Sequence, residues 1–293
     1  MAATSTRELR RRIRSVRNTA QITKAMQLIA ASKMRRAQEM VLSGRPYAEK
    51  ISNVLADLAA QLRTLEEAGA GPVVPLLEQR PVQKTAMVLI TPDRGLCGGL
   101  VTSISRTAAE AFRTAGGPVT VISVGRKGRA FVVRVGGDLK AVFTGIGDRP
   151  RLEDTLQISN LVIKAFEELE VDRVWLVYAK FESTAVQTPV VETLIPVDPA
   201  DLKAGEAVGY IYEPDAPTVL QRLLPRYVQM NVYHAVLEAI ASEHSARMVA
   251  MKNATDAANE LVDELRLELN KARQESITSE ILDIVGGVAG VQR

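Results

Sequence analysis

From Leu237 onward the chain repeats a low-polarity position in alternating steps of four and three: Leu237, Ala241, His244, Met248, Met251, Thr255, Ala258, Val262, Leu265, Leu269 and Ala272. This spacing holds for five heptads, which is the signature of a coiled-coil seam. Many of these residues are small, so a second helix can approach closely. No proline follows Pro225, and one helix is predicted over about 218–285. The start of the chain carries a matching signal. Leu9, Ile13, Val16 and Ala20 step by four, three and four, and a neighbouring stripe continues at Ile22, Met26 and Ile29. One long helix is predicted from about Ser5 to Leu65, capped among Thr4 to Thr6 and bent at Pro46, where a backbone donor is missing. Sixty helical residues span roughly 90 Å, far beyond a compact domain of this mass.

Between these ends the pattern changes. KTAMVLIT (84–91), PVTVISV (118–124), DRVWLVYAKF and VQTPVVETLIPV read as strands. LVTSISRTAAEAFRTAG (100–116), a short RKGRAFVVRVG and RLEDTLQISNLVIKAFEELE (151–170) read as helices, the last with acids near its start where the dipole favours them. Such alternation predicts an α/β layer with a mostly parallel sheet. EEAGAGPVVP (66–75) and YEPDAP (212–217) look like hinges. The expected fold is therefore α/β: a long antiparallel two-helix coiled coil made from the N- and C-terminal helices, plus a central Rossmann-like α/β domain. The expected boundaries are 1–65 for the first shaft helix, 66–215 for the central domain and 216–293 for the second shaft helix.

Charge sharpens this picture. The formal net charge is +3 over 293 residues, but residues 1–50 hold 12 Lys/Arg against 3 Asp/Glu, so the remainder is net acidic. The basic character is local and implies a local partner. No apolar run approaches the ~18 residues of a membrane helix. The Arg-rich start leads into no compact apolar segment and is read as mature protein. A single cysteine, Cys97, has no internal disulfide partner and fits a reducing compartment. Two histidines ten residues apart, His234 and His244, do not match helical metal spacing. His244 reads as a core or inter-helix histidine, and no metal or cofactor is expected. A basic helix with a zipper suggests a DNA reader, but here the two are some two hundred residues apart. With aromatics at 4% there is no stacking platform either, so no nucleic-acid partner is expected.

The one stretch with enzyme-like features is TPDRGLCGGL (91–100), between a strand and a helix. Glycines there can bring backbone N–H groups to a phosphate. The spacing Gly95, Gly98, Gly99 matches neither G-x-G-x-x-G nor a P-loop. A tight turn with a buried Cys97, braced by Asp93, is the simpler reading, with a nucleotide-binding α/β enzyme as the alternative. The C-terminal tail carries Ile281, Leu282, Ile284, Val285, Val288 and Val291, a sticky end unless something covers it.

ITKAMQLIAASKMRRAQ (22–38), DRGLCGGL (93–100), YIYEPD (210–215), SEHSARMVAMKNATDAANEL (242–261) and NKARQESITSEILDIVGGVAGV (270–291) together resemble the gamma subunit of F-type, bacterial ATP synthases, end to end and in matching order. The resemblance implies a non-catalytic central-stalk rotor. Such a subunit transmits torque between the membrane c ring and the alpha/beta hexamer, coupling proton flow to ATP synthesis. It implies alpha, beta and epsilon subunits and the c ring as partners. It also implies a peripheral place on the cytoplasmic face of the bacterial plasma membrane, reached only through the c ring. By motif match, Arg273, Gln274 and Thr278 are the polar catch that grips beta, Met26 is the coupling position on the other helix, and the loop holding Cys97 lies against the beta levers. Tyr210 and Glu213 match positions that meet the c ring. Glu275 departs from the motif, where a small residue is usual. The inserted cysteine pair of some photosynthetic relatives is missing, so thiol regulation is not expected.

Overall fold

The computed structural model describes residues 6–67, 74–198 and 212–291. Its elements are α1 (Thr6–Glu67), a 3-10 turn (Pro75–Leu77), β1 (Thr85–Ile90), α2 (Leu100–Thr114), β2 (Val119–Val124), α3 (Arg126–Val135), β3 (Asp138–Phe143), α4 (Leu152–Glu167), β4 (Arg173–Phe181), β5 (Gln187–Ile195) and α5 (Ala216–Val291). The helices continue through Pro46 in α1 and Pro225 in α5. Of the cap expected among Thr4 to Thr6, Thr6 is the first residue of α1, and Thr4 and Ser5 lie outside the described residues. By its contacts the chain divides into two units. One joins the described residues up to Ala30 with those from Met248 onward, and the other spans the described residues between them.

In the first unit α1 and α5 run antiparallel. Leu9 and Ile13 pack with Val262 and Leu265, and two heptads further along α1 the Thr23 hydroxyl lies 2.7 Å from that of Thr255. Each of these hydroxyls also lies within reach of its own helix, Thr23 of Ala20 O at 3.1 Å and Thr255 of Met251 O at 2.8 Å. With one hydrogen each, one hydroxyl bonds its own helix while the other donates across the seam. The heptad positions read on α5 are buried from Leu237 to Leu265, except the half-buried Met248, and Ser242 and Ser245 are buried beside them. On α1 the expectation needs correction. The buried line runs Leu9, Ile13, Ala20, Thr23, Ala30, Ala37. Ile22 and Ile29, read as a neighbouring apolar stripe, are 61% and 56% exposed. Ala and Thr at 20, 23 and 30 let the helices approach closely there, and Ile22 and Ile29 are turned outward.

The second unit is built on a five-stranded sheet of order β3-β2-β1-β4-β5. β1 pairs in parallel with β2 and β4, β2 pairs in parallel with β3, and β4 pairs antiparallel with β5. The reversal of strand order beside β1 makes it a doubly wound layer. Every residue of β1 is buried, because both faces are covered. Ala86, Val88 and Ile90 face a core formed with α4, the Ile51–Ala59 part of α1 and the Leu220–Val236 part of α5. Met87 and Leu89 face α2 and α3. The edge strand β3 is absent from the pattern reading. Its residues alternate exposed and half-buried, and Asp138 and Lys140 mask the apolar signal.

Local chemistry sets the turns. Gly125, just before α3, has φ +98°, and a Cβ there would lie 1.9 Å from the Thr91 carbonyl oxygen, so only glycine fits. Asp154, in the first turn of α4, accepts a hydrogen bond from the backbone N–H of Arg151 at 2.7 Å. Asp215 caps α5 by accepting from Thr218 N at 2.8 Å.

Candidate partner interface

The loop after β1 is a braced turn. Thr91 Oγ1 accepts from Gly128 N at 2.7 Å and donates to Val124 O at 3.1 Å. The Asp93 carboxylate accepts from Arg126 N and from Gly145 N, each at 2.9 Å, and so ties β1 to the start of α3 and the end of β3. Arg247 of α5 donates to Gly95 O at 3.2 Å. A phosphate held at the α3 N-terminus would use the amide of Arg126. Asp93 already occupies that direction, so this end of the sheet is filled by the chain's own anion. Among the described residues no group of three or more His, Cys, Asp or Glu forms a metal cluster.

Asp93→Ala removes two charge-assisted bonds from backbone donors. The expected cost is about 2–4 kcal/mol, seen as a lower urea midpoint with an unchanged slope. An unchanged midpoint would mean that Asp93 does not brace the loop.

Cys97 sits in this loop but faces inward, packed among Leu89, Leu100 and Ile104 and essentially without exposure. Burial pushes its thiol up from the usual range, with Arg247 pulling partly the other way. The loop instead presents Arg94, Leu96, Gly98 and Gly99 to the outside. Leu96 is 63% exposed and holds a left-handed φ of 63°. An apolar residue rarely keeps that backbone unless its surroundings enforce it.

In the terminal unit, Arg273, Gln274 and Thr278 are all exposed. Thr278 Oγ1 donates to Gln274 O one turn back at 2.9 Å, which keeps the hydroxyl on the helix surface. Lys271, Gln274, Glu275, Thr278, Ser279 and Leu282 line an open hollow of about 420 Å³. Ile277, Ile281, Leu282 and Ile284 are exposed beside it. Met26 is half-buried, one turn beyond Thr23 on the seam side of α1. Arg7, Arg10, Arg11 and Arg14, with Glu8 among them, line a second open groove near the helix start. An isolated chain rarely leaves this much aliphatic and basic surface uncovered on paired helices.

Glu213 is exposed in the turn before α5, which is anchored by Tyr212 OH donating to Asp57 at 2.7 Å. Tyr210 lies outside the described residues. Pattern reading missed the partner of His244. The ring is buried against Asp148, from the loop between β3 and α4, at 2.8 Å, and Asp148 also pairs with Lys33 of α1 at 2.7 Å. No heptad pattern reports a loop acid that meets a seam residue.

Comparisons with known proteins agree with these features. A family model described as ATP synthase matches residues 5–291. The ATP synthase gamma chain of Dehalococcoides mccartyi strain CBDB1 is 55% identical over 97% of this chain and 98% of its own. That of Roseiflexus sp. strain RS-1 is 48% identical over 98% of each. Among solved structures, a chain of the central stalk and c ring of the Tetrahymena thermophila mitochondrial ATP synthase superposes with TM-score 0.60 at 26% identity, over 80% of this chain and 99% of that one. A chain of the Euglena gracilis mitochondrial ATP synthase rotor shares the fold, with TM-score 0.64 at 20% identity over 93% of this chain and 98% of that one.

Proposed function

The chain belongs to the ATP synthase gamma-chain family and is the non-catalytic central-stalk rotor subunit of such a complex, and we propose that it carries torque between a membrane c ring and an alpha/beta catalytic hexamer, coupling proton flow to ATP synthesis. The observation that best supports this reading is the antiparallel pairing of the two chain ends, with Ile22, Ile29 and many basic residues of α1 exposed. Such a pair is stiff along its length and offers its outward side chains to surrounding subunits. No bond is made or broken on this chain.

The proposed contacts are polar and individually modest. A rotor must be gripped and released repeatedly, and exposed ion pairs of about 0–1 kcal/mol each allow that. Arg273, Gln274 and Thr278 form the catch for a beta subunit, and Met26 serves as the coupling position on the opposite helix. The loop of Cys97 meets a beta lever through Arg94 and Leu96. The turn at Glu213, with Tyr210, meets the c ring, and an epsilon subunit binds the α/β unit. The complex then sits on the cytoplasmic face of a bacterial plasma membrane, touched by this chain only through the ring. No helix among the described residues is long and apolar enough to cross a membrane itself.

Reconstitution tests the proposal. The purified chain is expected to show no ATP turnover alone. Mixed with alpha and beta subunits it should enter one stable complex whose hydrolysis turns an attached probe. ATP turnover by the isolated chain at the rate of the complex, or a saturable dinucleotide titration abolished by Gly98→Val, would replace this reading with a nucleotide-dependent enzyme.

A further inference from the structure

His244 is 3% exposed, yet both ring nitrogens have partners. Nε2 lies 2.8 Å from Asp148 Oδ1, and Nδ1 lies 3.3 Å from Arg247 Nη1. Asp148 pairs with Lys33 at 2.7 Å. Arg247 donates through Nη2 to Glu243 at 2.7 Å and to Gly95 O at 3.2 Å. An ionised carboxylate only accepts hydrogen bonds and a guanidinium only donates them. A neutral ring in this place must therefore carry its proton on Nε2 and turn its Nδ1 lone pair to Arg247. The resulting chain of bonds runs from α1 through Asp148 and across α5 to the loop that holds Cys97.

We propose that this chain of bonds is a proton-operated clasp: neutral His244 holds Arg247 on the Gly95 carbonyl, and protonation at Nδ1 releases Arg247 and loosens the loop. One proton from solvent is taken up and no other covalent bond changes. The lone pair that accepted the Arg247 N–H is lost, and two donors with like charge then face each other. The loop's role as a contact for beta rests on the function proposed above, but the clasp is a property of the isolated chain.

The charges facing the ring oppose one another. Arg247 on α5 works against protonation, and Lys33 and Arg36 on α1 and Arg149 in the loop line one hollow with Asp148. Asp148 and Glu243 favour it. Burial is the largest influence and holds His244 below the ordinary histidine range, with Asp148 and Glu243 pulling part of the way back. Asp148 is itself partly buried, but Lys33 and His244 keep its carboxyl below the usual carboxylate range, so it stays an acceptor throughout. A depressed histidine binds its proton more readily once released. The clasp is therefore complete above the ordinary value of about 6.5 and is lost as pH falls from there through the lower value of the closed state. His234, also depressed by burial, makes the whole fold less stable in the same direction, so the readout must be local.

Cys97 supplies that readout, as the sole thiol of the chain, two residues from Gly95. Its labelling by 4,4′-dithiodipyridine is measured at pH about 7.5 and about 5.5, on either side of the histidine range. Each rate is divided by that of the urea-unfolded chain at the same pH. We expect the ratio to rise at least about fivefold on acidification, the lower end of typical coupling between a ligand and a distant site, and to stay flat in His244→Gln. A flat ratio in the wild-type chain, or an equal rise in the variant, overturns the clasp. Imidazole ¹⁵N shifts of the wild-type chain give a second check that needs no variant: the Nε2–H tautomer is expected at the higher pH, and the Nδ1–H tautomer contradicts the proposal.

Discussion

Leu265→Asp is expected to separate the paired chain ends while the α/β unit stays folded. Leu265 is buried with Leu9, Ile13 and Val262, and half-buried Val16, Leu269 and Ala272 pack against them. All of these contacts are aliphatic. A carboxylate placed there gains no hydrogen-bonding partner from the cluster, and an uncompensated buried charge costs about 3–5 kcal/mol. A two-helix seam has little other apolar area to absorb such a loss. Leu267, two residues on, is 66% exposed, and Leu267→Asp should stay within about 0.5 kcal/mol of wild type. Thermal scans followed at 222 nm compare the two. Early loss of helical signal is expected in Leu265→Asp alone, and equal profiles for both variants would show that the seam does not hold the ends together.

The second large effect is functional. Arg273→Ala combined with Gln274→Ala should leave the fold intact, because both side chains are exposed on α5, yet weaken the coupling of hydrolysis to rotation. If the pair makes one or two charge-assisted bonds to a beta subunit in the driving state, their loss is worth about 1.5–3 kcal/mol. That corresponds to roughly a tenfold or greater fall in ATP-driven turnover of the assembled complex. The melting curve of the isolated double variant should overlay the wild type. Unchanged turnover with unchanged assembly would remove both residues from the catch.

The fold was legible in the sequence wherever one periodic pattern served one partner. The α5 heptads from Leu237 to Leu265 were legible because small and apolar residues recur at the buried positions without a break. β1 and β4 read clearly as continuous apolar runs, since both of their faces are covered. The reading failed where size and burial part company. On α1 the large residues Ile22 and Ile29 attract attention, but close helix approach selects Ala20, Thr23 and Ala30 for the seam and leaves the isoleucines outside. β3 was lost because an edge strand buries little and carries charge. In the candidate site, the bracing role of Asp93 could be anticipated from its place in a glycine turn. The meeting of His244 with Asp148 and Lys33 could not, because it joins three elements distant in sequence. For the loop of Cys97, the glycine turn with a buried thiol was legible from the residues, and its place against a beta lever came only from the motif match; that Leu96 is the apolar side chain turned outward was not legible, because it depends on the left-handed backbone at that residue.

Locking the two helices together tests the central claim most directly. Thr23 and Thr255 face each other across the seam with 2.7 Å between hydroxyl oxygens. Thr23→Cys and Thr255→Cys, in a chain whose Cys97 is changed to Ser, place two thiols there. Assembled with alpha and beta subunits and then oxidised, this rotor should keep turning under ATP at the rate of its reduced form, because the paired ends move as one body. Rotation that stops on oxidation and returns on reduction would show that the helices must slide or part during the cycle, and would contradict the account.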